Sequence, residues 1–594
     1  RQHRRMQFQR PPSIAIIADA HFYNLAGDCG VDGIGVGEPK MALRPFADVV
    51  KSTRVFNEAD NALRYALDDI VARGIRHVVL LGDYSDDGQV ETLKGLRALL
   101  DVYRERHGLR FFATPGNHDI FGPRGRHRRK RLLNRHFGYD LVTSNPAQQA
   151  GPGDSAVFVT EGMRCLGYPE GLQALPPMGF FRNGDDLHWE TPFGTDDMPE
   201  ARQYDICSAD GEITHSLMDA SYLVEPMEGV WLLMIDANVF VPLAGSSGDG
   251  EDAFADSTDA GWNAMLVHKR FVVDWIKDVS ARAKNLGKVL IAFSHYPALD
   301  PLDGTGDDEL AVFGATSLSR RIPRPDVGLT LVEAGIRVHF SGHLHVNDTS
   351  SRVDENGFLV NVSVPSLVAF PAAYKIVRIE TGRLLIDTVS MDAMKLELDI
   401  MDIYRTEARE AGIEAAGLLS AGDYGAFLSA HLGHLVGRRY LRREWPEELA
   451  HAVTRLDLFD LAVLAVTGEL AINGLAEDIR IRRDAPGITD AITARAVAAG
   501  LAPSSLSSIP VMTFLGDWYR VKMGSDLGLD AIVPANLDAY RFLSGLYAER
   551  KWEAGAAQAA FGRLWCMFDR FISGLPSRNF SIGLATGDID RSET

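Results

Sequence analysis

Five short motifs carry residue types that bind metal ions: Asp19-Ala20-His21, Gly82-Asp83, Gly116-Asn117-His118-Asp119, His295 and Gly342-His343-Leu344-His345. They offer two Asp, one Asn and four His as ligands (Asp19, His21, Asp83, Asn117, His295, His343 and His345), with His118 to spare. Imidazole and carboxylate together suit Zn, Mn, Fe, Co or Ni, not Ca or a thiolate-bound metal. A lone carboxylate such as Asp83 can bridge two ions, and two ions roughly 3.5–4 Å apart form the usual clamp for displacement at phosphorus. The inventory points to two neighbouring transition-metal ions and to hydrolysis of a phosphate ester.

Each motif needs an element to hold it. Four of the five follow an apolar run at once, and His295 follows one after a single Ser. Their β-branched and aromatic content predicts strands over 13–18, 77–81, 110–113, 230–235, 288–293 and 336–340, with helices over 55–73, 90–107 and 262–285. Strand-helix alternation implies a layered α/β fold. In open α/β sheets ligands gather at the carboxyl ends of strands, so the five motifs are expected at one edge of one sheet. Runs over 357–364, 374–379 and 384–389 lack intervening helices and predict a further, antiparallel-leaning part of the sheet.

At 594 residues the chain exceeds one ordinary core, and two domains are expected. Two stretches interrupt the regular order. Residues 23–45 are Gly-rich, and residues 121–229 are long and rich in Gly, Pro and Asp. A loop of that length is functional or carries its own small structure. Both begin at motif ends and read as active-site walls or a cap. From about residue 393 to 594 the chain turns to Ala, Leu, Arg and Glu at helical spacing, divided by Pro446, Pro486, Pro503 and Pro510. The expected organisation is a catalytic domain over 11–392 and a helical domain of unknown role over 393–594.

The five blocks, in this order, resemble the calcineurin-like metallophosphoesterase superfamily, whose pattern is DxH, GD, GNH followed by D or E, a single His, and GHxH. The resemblance covers roughly residues 13–350. It implies a four-layer α/β/β/α sandwich and two divalent or trivalent ions, Mn, Fe or Zn. Carried over, it makes Asp19, His21 and His345 ligands of one ion, Asn117, His295 and His343 ligands of the other, and Asp83 the bridge. His118 matches the non-ligand His that contacts substrate and protonates the leaving oxygen, and Asp119 is placed to orient or polarise it. A metal-bridging hydroxide is the implied nucleophile. Asp119 stands where 5′-nucleotidases and Ser/Thr protein phosphatases carry Glu, and Asp86 stands where purple acid phosphatases carry a metal-binding Tyr. The pattern looks closest to the cyclic-nucleotide-phosphodiesterase-like and acid-sphingomyelinase-like branches. A phosphodiesterase is therefore expected, with a phosphomonoesterase as the alternative and a metal-binding scaffold without turnover as a remote third.

Other features set bounds. A net charge of −19 argues against a broad surface for nucleic acid or anionic membrane. Four cysteines without a CxxC pair argue against a thiolate zinc site and leave the redox compartment open. The most apolar stretch, 458–475, contains Asp460 and Glu469 and reads as a buried helix, not a membrane span. The chain starts with Arg1, so a removed leader or leftover residues over Arg1–Arg5 are both open readings, and so are cytoplasmic, periplasmic and secreted locations. The substrate class is a small or lipid-like phosphate ester, and the helical region is a candidate for self-association. The basic run over residues 124–135 reads as a solvated helix face or as an attractor for an acidic or multiply phosphorylated substrate. Trp189, Trp231, Trp262 and Trp275 read as core.

Overall fold

In the computed structural model, which describes residues 11–35, 40–502 and 504–592, the apolar runs form two seven-stranded sheets. Arg1–Arg5, Pro503 and residues 36–39 of the Gly-rich stretch lie outside the described residues. The first sheet has the order Ile589–Arg591, Phe580–Gly583, Arg383–Ser390, Ala373–Glu380, Ser13–Ile17, His77–Leu81, Arg110–Thr114. Its last three strands are parallel and the rest pair antiparallel. The second has the order Asp348–Asp354, Gly357–Ser363, Val338–Ser341, Val289–Ser294, Val230–Ile235, Tyr222–Met227, His188–Glu190, with a parallel centre.

Parallel strands need crossovers, which the helices Ala59–Ala72, Val90–His107, Arg270–Leu286 and Pro325–Glu333 provide. Ile14, Ala15 and Ile16 in one sheet and Leu232, Leu233 and Met234 in the other are fully buried, as strands covered on both faces must be. The sheets meet through residues such as Tyr222, whose hydroxyl accepts the Ala113 N–H at 3.0 Å. This is the mixed α/β sandwich the motifs imply, and it places the carboxyl ends of both parallel centres together.

Two compact units divide the chain. The first comprises Arg1–Pro301, Arg321–Leu428 and Pro576–Thr594 and holds both sheets. The second comprises Leu302–Arg320 and Ser429–Leu575 and is built of helices around an aromatic core in which Phe514 stacks on Trp565 at 3.9 Å. Acidic residues 303–308, near His295 in sequence, fall in the second unit. No helix among the described residues is long and apolar enough to cross a membrane.

Several elements differ from the sequence expectation. The helix expected over 262–285 is two, Gly261–His268 and Arg270–Leu286, broken at Lys269. There the backbone leaves helical geometry while the buried ammonium reaches Asp219 Oδ2 at 2.7 Å and the Asp236 carbonyl at 2.8 Å. The stretch 121–229 carries regular structure of its own. It supplies His188–Glu190 and Tyr222–Met227 to the second sheet and forms a three-stranded sheet from Arg129–Leu133, Tyr139–Thr143 and Asp154–Val159. The basic run is therefore no helix face, since its centre is a strand with Lys130 buried. The later antiparallel strands split between the two sheets, and Phe580–Gly583 and Ile589–Arg591, within the stretch expected to be helical, are strands. Trp189, Trp231, Trp262 and Trp275 are all buried.

Candidate metal centre

The five motifs converge, but from both sheets and not from one. Asp19, Asp83 and Asn117 follow the parallel strands Ser13–Ile17, His77–Leu81 and Arg110–Thr114, while His295 and His343 follow Val289–Ser294 and Val338–Ser341. Backbone bonds lace the turns together. Asp19 N–H donates to Gly82 O at 3.1 Å, His21 N–H to Asp83 O at 2.8 Å, and Gly342 N–H to His295 O at 2.9 Å. Asp19 in turn accepts the His343 N–H at 3.0–3.1 Å through both carboxylate oxygens, tying the first sheet to the second.

Three overlapping groups of donor atoms result: Asp19, His21 and His345; His21, Asp83 and His118; and Asp83, His295 and His343. His21 Nε2 lies 3.1 Å from His345 Nε2, and His345 Nε2 lies 3.4 Å from Asp19 Oδ1. His295 Nε2 lies 3.2 Å from Asp83 Oδ2 and 3.2 Å from His343 Nδ1. Asp83 Oδ2 belongs with both sides, lying 3.8 Å from His21 Nε2. Asn117 Oδ1 is buried without a hydrogen-bond partner, and its Nδ2 reaches Thr258 Oγ1 at 3.3 Å.

The backbone carries a cost at this cluster. Among the described residues eight non-glycine residues have positive φ, and five are Asp19 (48°), His21 (41°), Asp83 (46°), His343 (73°) and His345 (57°). Such conformations cost of order 1–3 kcal/mol each and persist where the surroundings impose them, typically at functional sites. Two motif glycines keep the turns in register. A Cβ on Gly116 would stand 2.1 Å from Asp83 Oδ1, and one on Gly342 would stand 2.4 Å from Asp19 Oδ2.

Protonation follows the burial. Burial, then Arg54, holds His21 well below the usual imidazole range, and burial with His295 does the same to His343, so both rings keep a lone pair free at neutral pH. Burial pushes Asp83 up, yet His295 and His118 outweigh it and hold this carboxylate well below its ordinary range. Burial lowers His295, but Asp83 and Asp19 raise it to about 9. The proton those carboxylates hold on His295 is the charge that a bound cation would replace, since metal binding and ligand deprotonation are linked. Facing imidazole nitrogens, two buried carboxylates and an orphaned amide oxygen form a donor set that fits two borderline cations.

His118 is set apart. Its Nδ1 lies 2.5 Å from Asp87 Oδ1 and 3.1 Å from the Asp86 carbonyl, both acceptors, so Nδ1 carries the proton. Its backbone N–H donates to Asp83 Oδ1 at 2.8 Å, and its side chain is 21% exposed. The partner expected for it was Asp119, but Asp119 is engaged elsewhere. Oδ1 accepts the Ser85 N–H at 2.9 Å and hydroxyl at 2.8 Å, and Oδ2 accepts the Gly116 N–H at 2.8 Å. Burial and Asp83 raise Asp119 to about 8. Two contributors escaped the sequence reading. Asp87 belongs to the acidic pair after Gly82-Asp83, a signal that was visible, whereas Thr258, whose carbonyl lies 3.0 Å from His343 Nε2, carries none.

Residues 12–216 match a family described as calcineurin-like phosphoesterase. No match is found among curated proteins. Among solved structures, a dimetal phosphatase from Danio rerio aligns at 12% identity with a TM-score of 0.34, over 64% of this chain and 97% of its own. That TM-score is too low for the likeness to carry weight.

Proposed function

We propose that this chain, whose residues 12–216 are similar to the calcineurin-like phosphoesterases, is a metal-dependent phosphoester hydrolase acting on phosphodiesters. The carrying observation is a solvent-reachable His118, backed by Asp87 at 2.5 Å, beside two facing sets of buried donors.

Asp19, His21 and His345 would hold one cation, Asn117, His295 and His343 the other, with Asp83 shared between them. Cations bound there would offset charge on the phosphate oxygens and lower the pKa of an attacking water. His118 supplies the complementary step. With Nδ1–H held by Asp87 and the Asp86 carbonyl, Nε2 is the nitrogen that faces chemistry. In the protonated ring Nε2–H gives its proton to the ester oxygen as the P–O bond breaks and the water oxygen bonds to phosphorus. The leaving group departs as an alcohol, and Asp87 stabilises the imidazolium until the proton is given up. An alkoxide is a poor leaving group, so a positioned acid is worth most for alkyl esters; the diester reading rests on the motif pattern, which looks closest to the phosphodiesterase-like branches.

The test is hydrolysis of bis(p-nitrophenyl) phosphate against p-nitrophenyl phosphate by protein supplied in turn with Mn, Zn, Fe, Co and Ni. Diester turnover faster than monoester turnover is expected. Faster monoester turnover overturns the diester assignment, and no activity with any of these metals overturns the hydrolase.

A further inference from the structure

Behind His118 the first unit contains a cavity of about 410 Å³ whose wall is dominated by cations: Arg44, Arg128, Arg129, Lys130 and Arg131. The inner wall is buried. Asp86 and Asp87 together face four cations, Arg54 at 3.0 Å, Arg44 at 3.7 Å, Arg128 at 2.7 Å and Lys130, which contacts both carboxylates. Around the mouth Arg131 pairs with Asp154 at 2.8 Å and Arg129 donates to Gln148 Oε1 at 3.0 Å, with Asp48 also in the lining. The lining thus holds five cations against Asp48 and Asp154, and Asp86 and Asp87 stand behind it with Arg54.

The imbalance has a specific address. Arg44 is 7% exposed, its guanidinium lies over the Phe56 ring at 4.0 Å, and its Nε and Nη1 have no hydrogen-bond partner. Asp86 Oδ2 stands 3.7 Å from Nη1, beyond hydrogen-bond reach, so this buried guanidinium's charge is only partly met. Arginine forks and a lysine around one volume suit the oxygens of a tetrahedral dianion.

We propose that this cavity is a binding site for a phosphate-class dianion, separate from the metal centre and joined to it through Asp87, which contacts both His118 and the cavity cations. It does not depend on the chain being a hydrolase. The shared chemistry is a phosphate group, whether on a soluble molecule or on a lipid headgroup.

The test is calorimetric titration of the full chain with inorganic phosphate. Asp83→Asn, which weakens the metal centre, should still bind about one phosphate per chain. Adding Arg44→Gln should weaken that binding about tenfold or more, the worth of a charged hydrogen bond. Should Arg44→Gln not fold, the mouth pair Arg129→Gln/Arg131→Gln carries the same expectation. No phosphate binding by Asp83→Asn, or binding that neither set of arginine changes weakens, overturns the proposal. Retention of the wild type on phosphatidylcholine vesicles only when they carry phosphatidic acid, lost in the arginine variants, supports the site with a lipid as source. Phosphate binding without retention supports it with a soluble source. Absence of turnover in the wild type bears on the hydrolase alone.

Discussion

Asp87 Oδ1 stands 2.5 Å from His118 Nδ1, while Asp119, adjacent to that His in sequence, spends both oxygens on Ser85 and Gly116. On the proposed mechanism Asp87 is thus the positioning residue, while Asp119 braces the turn. Asp87→Asn should lower kcat on the order of 10-fold or more and displace the pH profile of kcat, because a positioned acid is worth roughly 10²–10⁴. Metal content should stay at the wild-type value. Metal analysis showing loss of ions, or an unmoved profile, contradicts the positioning role.

His118→Ala should cost roughly 10²-fold in turnover of an alkyl phosphodiester and less for bis(p-nitrophenyl) phosphate, because nitrophenolate departs without a proton. The comparison of the two substrates is the check. Equal losses would mean that His118 acts in binding and not as the acid.

Gly116→Ala would bring a methyl within 2.1 Å of Asp83 Oδ1 and 2.4 Å of the Asp83 backbone nitrogen, which cannot step aside. Overpacking of this kind costs about 1–3 kcal/mol. The variant is expected to melt several degrees lower and to hold less than one full set of metal, as read by calorimetry and elemental analysis. Full metal content at an unchanged melting temperature would mean that the turn yields freely.

Glu58 provides a pH dependence away from the metal centre. It is buried, its Oε1 accepts the Tyr404 hydroxyl at 2.9 Å, and its Oε2 has no partner. Burial raises it from 4.5 to about 7. A carboxyl raised in the folded state keeps its proton there longer than in the unfolded chain. Its contribution is therefore complete below pH 4.5 and is lost as pH rises through about 7. The loss is roughly 3 kcal/mol at one pKa unit per 1.36 kcal/mol. Melting temperatures compared at about pH 5 and pH 8 should fall less in Glu58→Gln than in the wild type. An identical fall in both would remove Glu58 as the cause.

The convergence of the motifs was legible because each ends an apolar run, and runs of that type form parallel strands whose ends converge. Their sharing between two sheets was not legible. Strand pairing is set by distant partners, such as Phe580–Gly583 on Arg383–Ser390, which local pattern does not report. Asp87 was missed because Asp86 and Asp87 look alike in sequence and only the turn decides which one reaches His118. The run around Lys130 looked solvated because basic residues rarely enter an interior, and of its basic residues only Lys130 does. Asp86 and Asp87 make it tolerable, and they lie far away in the chain. Lys269 broke an otherwise regular helical period for the same reason, its partners Asp219 and Asp236 being remote.

The pairing of Phe580–Gly583 with Arg383–Ser390 has a temporal side. A ribosome making this chain releases Arg383–Ser390 and then all of Ser429–Leu575 before the strand that covers it. Through that interval a run of unpaired N–H and C=O groups is open to foreign strands. A nascent-chain chaperone would then find a target at that edge, away from the metal-binding turns.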